Sequence, residues 1–228
     1  MFNLKTIVLF SGGQDSTTCL YWAINKFGKK NILALNIWYG QRHAIEITCA
    51  EKIANELANV QYQNFKTTIF QDIGDSALIQ SGNIANKHRG DPNLPASFVP
   101  GRNVFFLTIA AALAYKYDAL NIVTGVCQAD FSGYPDCREI AIMAIEDAIS
   151  LGMGKDFKIH TPLMKLTKAE TVFMAQELSG CMEALSYSHT CYEGQYPPCM
   201  KCPSCKLRDK GFKEAKIVDP LMKRYLGK

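Results

Sequence analysis

The sequence predicts an α/β fold: doubly wound, with a mainly parallel sheet, helices on both faces, and a small C-terminal subdomain built on cysteines. Three observations carry this prediction. Short, nearly continuous apolar runs alternate with stretches of helical periodicity, the pattern of parallel strands buried on both sides. A turn rich in glycine and hydroxyls, Ser11-Gly12-Gly13-Gln14-Asp15-Ser16, joins the first apolar run to the first helical pattern. Four of the nine cysteines fall between Cys191 and Cys205, where the strand–helix alternation stops.

Each element has its own signal. Thr6 to Phe10 is an apolar strand, and Leu20, Ala23, Ile24 and Phe27 then share one face of a helix over Ser16 to Phe27. Ile32 to Trp38 reads as a second strand, followed by a helical face of Ile47, Ala50, Ala54 and Leu57 and a third strand over Val60 to Phe65. From Lys66 to Pro100 the periodicity fades among glycines and prolines, which fits either a surface loop or a substrate lid. Val104 to Ala114 is apolar nearly all round, so the pattern predicts a deeply buried helix. Ala119 to Val126 predicts another strand, Glu139 to Leu151 a helix, and Phe157 to His160 a short strand. Thr167 and Glu170 stand three apart as a capping box, which starts a helix running to about Leu178. The organisation expected is a main domain over 1–186 and a cysteine-rich tail over 187–228 packed on it.

Bulk properties narrow the class. The 228 residues suit one generous domain with an appendage, and 48% hydrophobic content suffices for a core. Lys+Arg 25 against Asp+Glu 21 gives +4, too small an excess to argue for direct nucleic-acid binding. No apolar run approaches the ~18 residues of a membrane helix, and the start resembles no cleaved leader. The expected location is therefore cytoplasmic, with no membrane partner. An odd number of cysteines, clustered in the tail, opposes a secreted disulfide framework and favours a metal site.

The glycine-rich turn suits phosphate. Glycines let the backbone approach an anion, hydroxyls donate, and the helix N-terminus adds unpaired N–H groups and partial positive charge. It is not a Walker A loop, because Gly28-Lys29-Lys30 lacks the upstream glycine and the following hydroxyl. Ser11-Gly12-Gly13-x-Asp15-Ser16 resembles instead the signature of the PP-loop ATP pyrophosphatases, which split ATP into AMP and pyrophosphate. Asp15 fits a helix cap or a ligand of Mg²⁺. Attack at the α-phosphorus leaves a charged pyrophosphate, so cations are needed; Arg42, Arg102, Arg138, Lys165 and Lys168 are candidates. Arg102 precedes the apolar helix, and Lys168 fits equally a solvated first-turn lysine. His43 and His88 sit in polar loops and read as structural or idle rather than catalytic. In the tail, Cys191, Cys199, Cys202 and Cys205 have spacings that let neighbouring thiolates share one tetrahedral Zn²⁺, and four protein ligands would close the site and make the zinc structural; a redox-active CxxC pair and buried free thiols are the other readings. Cys19, Cys49, Cys127, Cys137 and Cys181 read mostly as small core residues.

Taken together, these residues resemble the 7-cyano-7-deazaguanine synthase family of queuosine biosynthesis. The matching pieces are Phe10-Ser11-Gly12-Gly13-Gln14-Asp15-Ser16-Thr17-Thr18-Cys19-Leu20, Tyr39-Gly40-Gln41-Arg42-His43, Phe98-Val99-Pro100-Gly101-Arg102-Asn103, Thr124-Gly125-Val126, Asp130-Phe131-Ser132-Gly133-Tyr134-Pro135-Asp136-Cys137-Arg138, Pro162-Leu163, Lys168-Ala169-Glu170 and the four tail cysteines. The resemblance implies an adenine nucleotide alpha hydrolase-like fold and an ATP-dependent ligase. Such an enzyme converts 7-carboxy-7-deazaguanine and ammonia to the nitrile through an adenylated carboxylate and an adenylated amide. It implies ATP contacts over Phe10 to Leu20, with Mg²⁺, and catalytic roles for Asp15, Arg102 and Lys168. It further implies a deazaguanine pocket lined by Asp130, Tyr134, Asp136 and Arg138, one structural zinc, and a homodimer. At least one of the pocket residues is expected only to cap its turn. Other readings are a PP-loop amidating or tRNA-thiolating ligase, and a zinc-ribbon nucleic-acid binder.

Overall fold

The structure is a computed structural model that describes residues 4–41, 45–73, 76, 78, 88, 90–128 and 134–227. Its sheet has the order β3-β2-β1-β4-β5, with every pairing parallel. The strands are β1 (Thr6–Leu9), β2 (Ile32–Trp38), β3 (Gln61–Lys66), β4 (Asn121–Val123) and β5 (Lys158–His160). Alternation within them divides the core. Val8, Phe10, Ile32, Ala34 and Val123 belong to one apolar cluster; Ile7, Leu33, Leu35, Ile37 and Ile122 belong to the other. That is why the strands read as continuous apolar runs: both faces are covered.

The first face carries α1 (Gln14–Phe27), α2 (Ile45–Lys52) with its π-helical continuation Ile53–Ala58, α6 (Lys168–Glu177) and α7 (Cys181–Leu185). The second carries α4 (Arg102–Lys116) and α5 (Glu139–Met153). A short α3 spans Ile69–Ile73, and α8 (Pro203–Glu214) and α9 (Pro220–Leu226) close the chain. Phe212 and Ala215, at the end of α8 and just beyond it, are buried in the first cluster, so the tail shares the main core.

Two expectations change here. The α4 helix does not lie deep. Leu107, Ala110, Ala111 and Ala114 face the sheet, while Val104 and Tyr115 stand 44% and 51% exposed. Its alanines lower the contrast between faces, so the sequence pattern overstated burial. The predicted Ala119–Val126 strand shortens to Asn121–Val123 because β5 offers only three paired residues; Thr124 to Val126 instead turn toward the start of α1.

Strands β1 and β4 are adjacent, yet α1 leaves β1 on one face and α4 leads into β4 on the other. The order therefore reverses between them, and ligands of open α/β sheets bind beyond the carboxyl ends of strands at such a point.

Candidate active site and metal centre

A cavity of about 640 Å³ opens at that point. Its floor is the turn after β1. Gly12 has φ +84°, and a Cβ on it would lie 2.8 Å from the backbone nitrogen of Ala50 in α2. Only glycine lets the turn settle this closely on α2. The Ser11 and Ser16 hydroxyls are 3.0 Å apart, Gly13 N–H donates to Ser11 Oγ (3.3 Å), and Ser16 Oγ donates to the Gly13 carbonyl (3.2 Å). Gly13 is the N-cap of α1 and brings no side chain to its first turn. The result is a rigid concave turn with helix N–H groups beside it, which suits an anion. Gly125, after β4, packs here as well: its Cβ position is 3.2 Å from Ser16 N.

Lys168 comes to the same place from α6. The capping box is formed in full: Glu170 N–H donates to Thr167 Oγ1, and Thr167 N–H donates to the Glu170 carboxylate at 2.7 Å. It fixes the first turn of α6, so that Lys168 Nζ reaches both Asp15 oxygens at 2.8 Å. The lysine side chain is only 8% exposed, so the solvated alternative is set aside. Its stem runs against Gly211 of α8, where a Cβ would fall 2.6 Å from Lys168 Cγ. Asp15 is thus paired with Lys168, while Gly13 takes the cap position.

Arg102, the first residue of α4, lies between two rings, its Cζ 5.8 Å from the centres of both Tyr39 and Tyr134, and its Nη1 donates to Tyr39 Oη at 3.3 Å. Tyr134 Oη is 2.6 Å from Ser97 Oγ. Both Arg102 and Tyr134 line the cavity, as do Phe10, Ser11, Gly13, Gln14, Asp15, Ser16 and Lys168. Thr17, Thr18, Cys19 and Leu20 do not; they are wholly buried in α1. Asp136 turns elsewhere, its carboxylate accepting the Asn103 N–H at 3.1 Å and so capping α4. Arg138 is the exposed N-cap residue of α5, and Lys165 pairs with Glu139 at 3.2 Å on the surface. Arg42, His43 and Asp130 lie outside the described residues.

Several lining groups escaped the sequence reading. Glu46, in the first turn of α2, faces the cavity, and burial pushes its carboxyl up to about 7 against the lowering effect of Arg102. Tyr39 and Gln41 stand near it at the end of β2. Cys127 and Cys137 also line the cavity, and burial pushes the Cys137 thiol up to about 12, which opposes thiolate chemistry there. The available signal for Glu46 was its place three residues after Tyr39-Gly40-Gln41-Arg42-His43, at the start of a predicted helix.

The tail supplies the remaining wall. His189, Thr190, Tyr192, Pro203, Ser204 and Leu207 line the cavity, and the His189 N–H donates to the Gly12 carbonyl at 2.9 Å. These residues interleave with the cysteines. The sulfurs of Cys191, Cys199, Cys202 and Cys205 all lie within 4.8 Å of one another, with Cys199 and Cys205 at 3.9 Å. Four thiolates at about 2.3 Å from a tetrahedral ion stand about 3.8 Å apart. Backbone N–H groups of Cys199, Cys202 and Cys205 already point at ligand sulfurs (3.3–3.5 Å), as thiolates require. The donor set fits a closed structural metal site. Arg208 anchors α8 to this region, donating to both Asp219 oxygens at 2.7 and 2.8 Å and to Ser188 Oγ at 2.7 Å.

No helix among the described residues is long and apolar enough to cross a membrane. A solved 4-thiouridine synthetase–RNA complex with bound ATP gives a TM-score of 0.49 at 14% identity, over 92% of this chain and 53% of that one, a likeness too slight to bear weight. Sequence similarity is much closer. The 7-cyano-7-deazaguanine synthase of Chromobacterium violaceum is 53% identical over 96% of this chain and 94% of its own. That of Laribacter hongkongensis is 48% identical (97% and 95%), and that of Lysinibacillus sphaericus 44% (92% and 94%). Residues 5–216 match the family described as "Queuosine biosynthesis protein QueC", and on that span the chain belongs to this family.

Proposed function

We propose that this chain is an ATP-dependent 7-cyano-7-deazaguanine synthase. The observation that carries the reading is the hydroxyl-lined turn Ser11–Ser16, open to a cavity that also holds Lys168 and Arg102 and has no Walker lysine. The carboxylate of 7-carboxy-7-deazaguanine attacks the α-phosphorus of ATP and expels pyrophosphate. Ammonia then displaces AMP to give the amide. A second ATP adenylates the amide oxygen, and loss of AMP leaves the nitrile. Each step turns a poor leaving group into AMP, so the protein's task is positioning and charge stabilisation.

In this scheme Ser11, Gly13 and Ser16 hold the departing pyrophosphate through backbone N–H groups and hydroxyls. Asp15 orients the Lys168 ammonium, and Lys168 and Arg102 offset phosphate charge. Mg²⁺ bound with ATP would supply further neutralisation, and Asp15 is the residue that would help to hold it. Tyr134 forms the deazaguanine end; Asp136 and Arg138 serve the turn that carries Tyr134. Residues 187–228 act as a wall held by one zinc ion. The exposed apolar side chains of Ile140, Met143 and Leu151 on α5 fit the buried face of a homodimer working in the cytoplasm. The test is a product assay with 7-carboxy-7-deazaguanine, ATP, Mg²⁺ and ammonium. The nitrile, AMP and pyrophosphate are expected; ADP and phosphate would refute the mechanism.

A further inference from the structure

The proposed reaction sheds three protons from nitrogen, one on amidation and two between amide and nitrile. When ammonia adds to the acyl-adenylate, a C–N bond forms and the C–O bond to AMP breaks. AMP leaves with the electron pair, and the nitrogen must lose a proton to become a neutral amide. The amide nitrogen releases a second proton to solvent as its oxygen is adenylated, which leaves a neutral imidate. In the nitrile step the remaining N–H electron pair becomes the third C–N bond as AMP departs with the C–O pair, and that proton also needs an acceptor. Two carboxylates line the cavity among the described residues, Asp15 and Glu46. Asp15 is held by Lys168 through both oxygens. Of these two carboxylates, Glu46 is the one whose oxygens Lys168 does not hold.

The geometry puts Glu46 close to the reaction. Ala50 is the residue on which Gly12 rests. Glu46 precedes it by four positions and so lies just over one turn, about 6 Å, along the same face of α2. Glu46 lines the same cavity as the phosphate turn, and its carboxyl interacts with the Arg102 charge. Arg102 from α4, Tyr39 from the end of β2 and Cys49 on its own helix are the titratable or charged groups that interact with it among the described residues. A carboxylate in a cavity that must bind a polyanion weakens binding by like-charge repulsion unless it does something else. Its half-buried position brings its ionisation close to neutrality, where a general base is most effective.

We propose that the Glu46 carboxylate is the general base that accepts the nitrogen proton in both the amidation and nitrile-forming steps, and returns it to solvent through the cavity mouth. This rests on the proposed function. The experiment separates the two. Substrate-dependent exchange of labelled pyrophosphate into ATP reports adenylation alone. Ammonium added to the preformed acyl-adenylate in a single turnover reports amidation. In Glu46→Gln, amidation should fall by about 100-fold or more, while exchange falls by less than about threefold. At fixed free ammonia, wild-type amidation should rise with pH through one ionisation near 7, and Glu46→Gln should lack that limb. Should Glu46→Gln not fold, Glu46→Asp carries the test: the limb must move with the new carboxyl. Equal loss of exchange and amidation, as a ligand of ATP or Mg²⁺ would give, overturns the assignment. An unmoved limb does the same. No exchange in the wild-type protein would overturn the proposed function itself.

Discussion

Gly12→Ala tests how closely the phosphate turn is fitted to its support. Two costs are separable. The backbone at residue 12 has φ +84°, and a Cβ in left-handed backbone costs roughly 1–2 kcal/mol. The new methyl also meets Ala50 N at 2.8 Å and Ala50 Cα and Cβ at 3.0 Å. Those atoms belong to a fully buried residue of α2, and backbone cannot swing aside as a long side chain can. Overpacking of this kind adds about 1–3 kcal/mol. The expected loss is about 2–5 kcal/mol. Gly101→Ala is the internal control: φ is +72°, but nothing lies within 4 Å of its Cβ position, so only the conformational cost of ~1–2 kcal/mol applies. Urea unfolding of the metal-loaded proteins measures both. Because the Gly12 carbonyl also receives the His189 N–H, a shifted turn should weaken ATP binding too. If Gly12→Ala loses no more stability than Gly101→Ala, the close approach of turn to α2 does not constrain the site.

Other outcomes follow from the same geometry. Lys168→Met should slow adenylation by about 10²–10³-fold and cost about 2–3 kcal/mol by leaving Asp15 unpaired, less than a fully buried pair because Asp15 is 32% exposed. Elemental analysis should find about one zinc per chain, and chelation should abolish ATP binding together with tail structure, because Thr190, Tyr192 and Ser204 sit beside the ligands and in the cavity wall; a Cys202→Ser variant fully active without metal would refute this. The Glu46 carboxyl rises from 4.5 to about 7 on folding. Folding is then unaffected by its charge below about pH 4.5 and is progressively penalised up to pH 7. Glu46→Gln should accordingly match wild type at pH 4 and exceed it at pH 8 by about 1–3 kcal/mol after solvent screening, read from urea midpoints.

Much of the site was legible because its chemistry is local. The turn Ser11–Ser16, the capping box Thr167–Glu170 and the cysteine spacing each state their geometry within a few residues. What the sequence hid is tertiary. The fate of Asp136 depended on whether α4 started beside it, and there it caps Asn103 rather than facing the cavity. Arg138 sits in the same segment, yet its place at the N-cap of α5 turns it to solvent. Glu46 reads as an ordinary first-turn acid until Gly12 is seen to rest on Ala50. The tail reads as an appendage because only the folded chain brings His189 onto Gly12 and Gly211 onto Lys168. The apparent depth of α4 failed for the opposite reason: alanine counts as apolar in a pattern but tolerates exposure.

The central claim is that this cavity breaks ATP at the α-phosphorus to activate a carboxyl group and then an amide. The most direct measurement is the stoichiometry of products from ATP, 7-carboxy-7-deazaguanine and ammonium with the purified protein. The account predicts two AMP and two pyrophosphate for each nitrile formed. ADP with phosphate, or AMP formed without dependence on the carboxylate substrate, would contradict it.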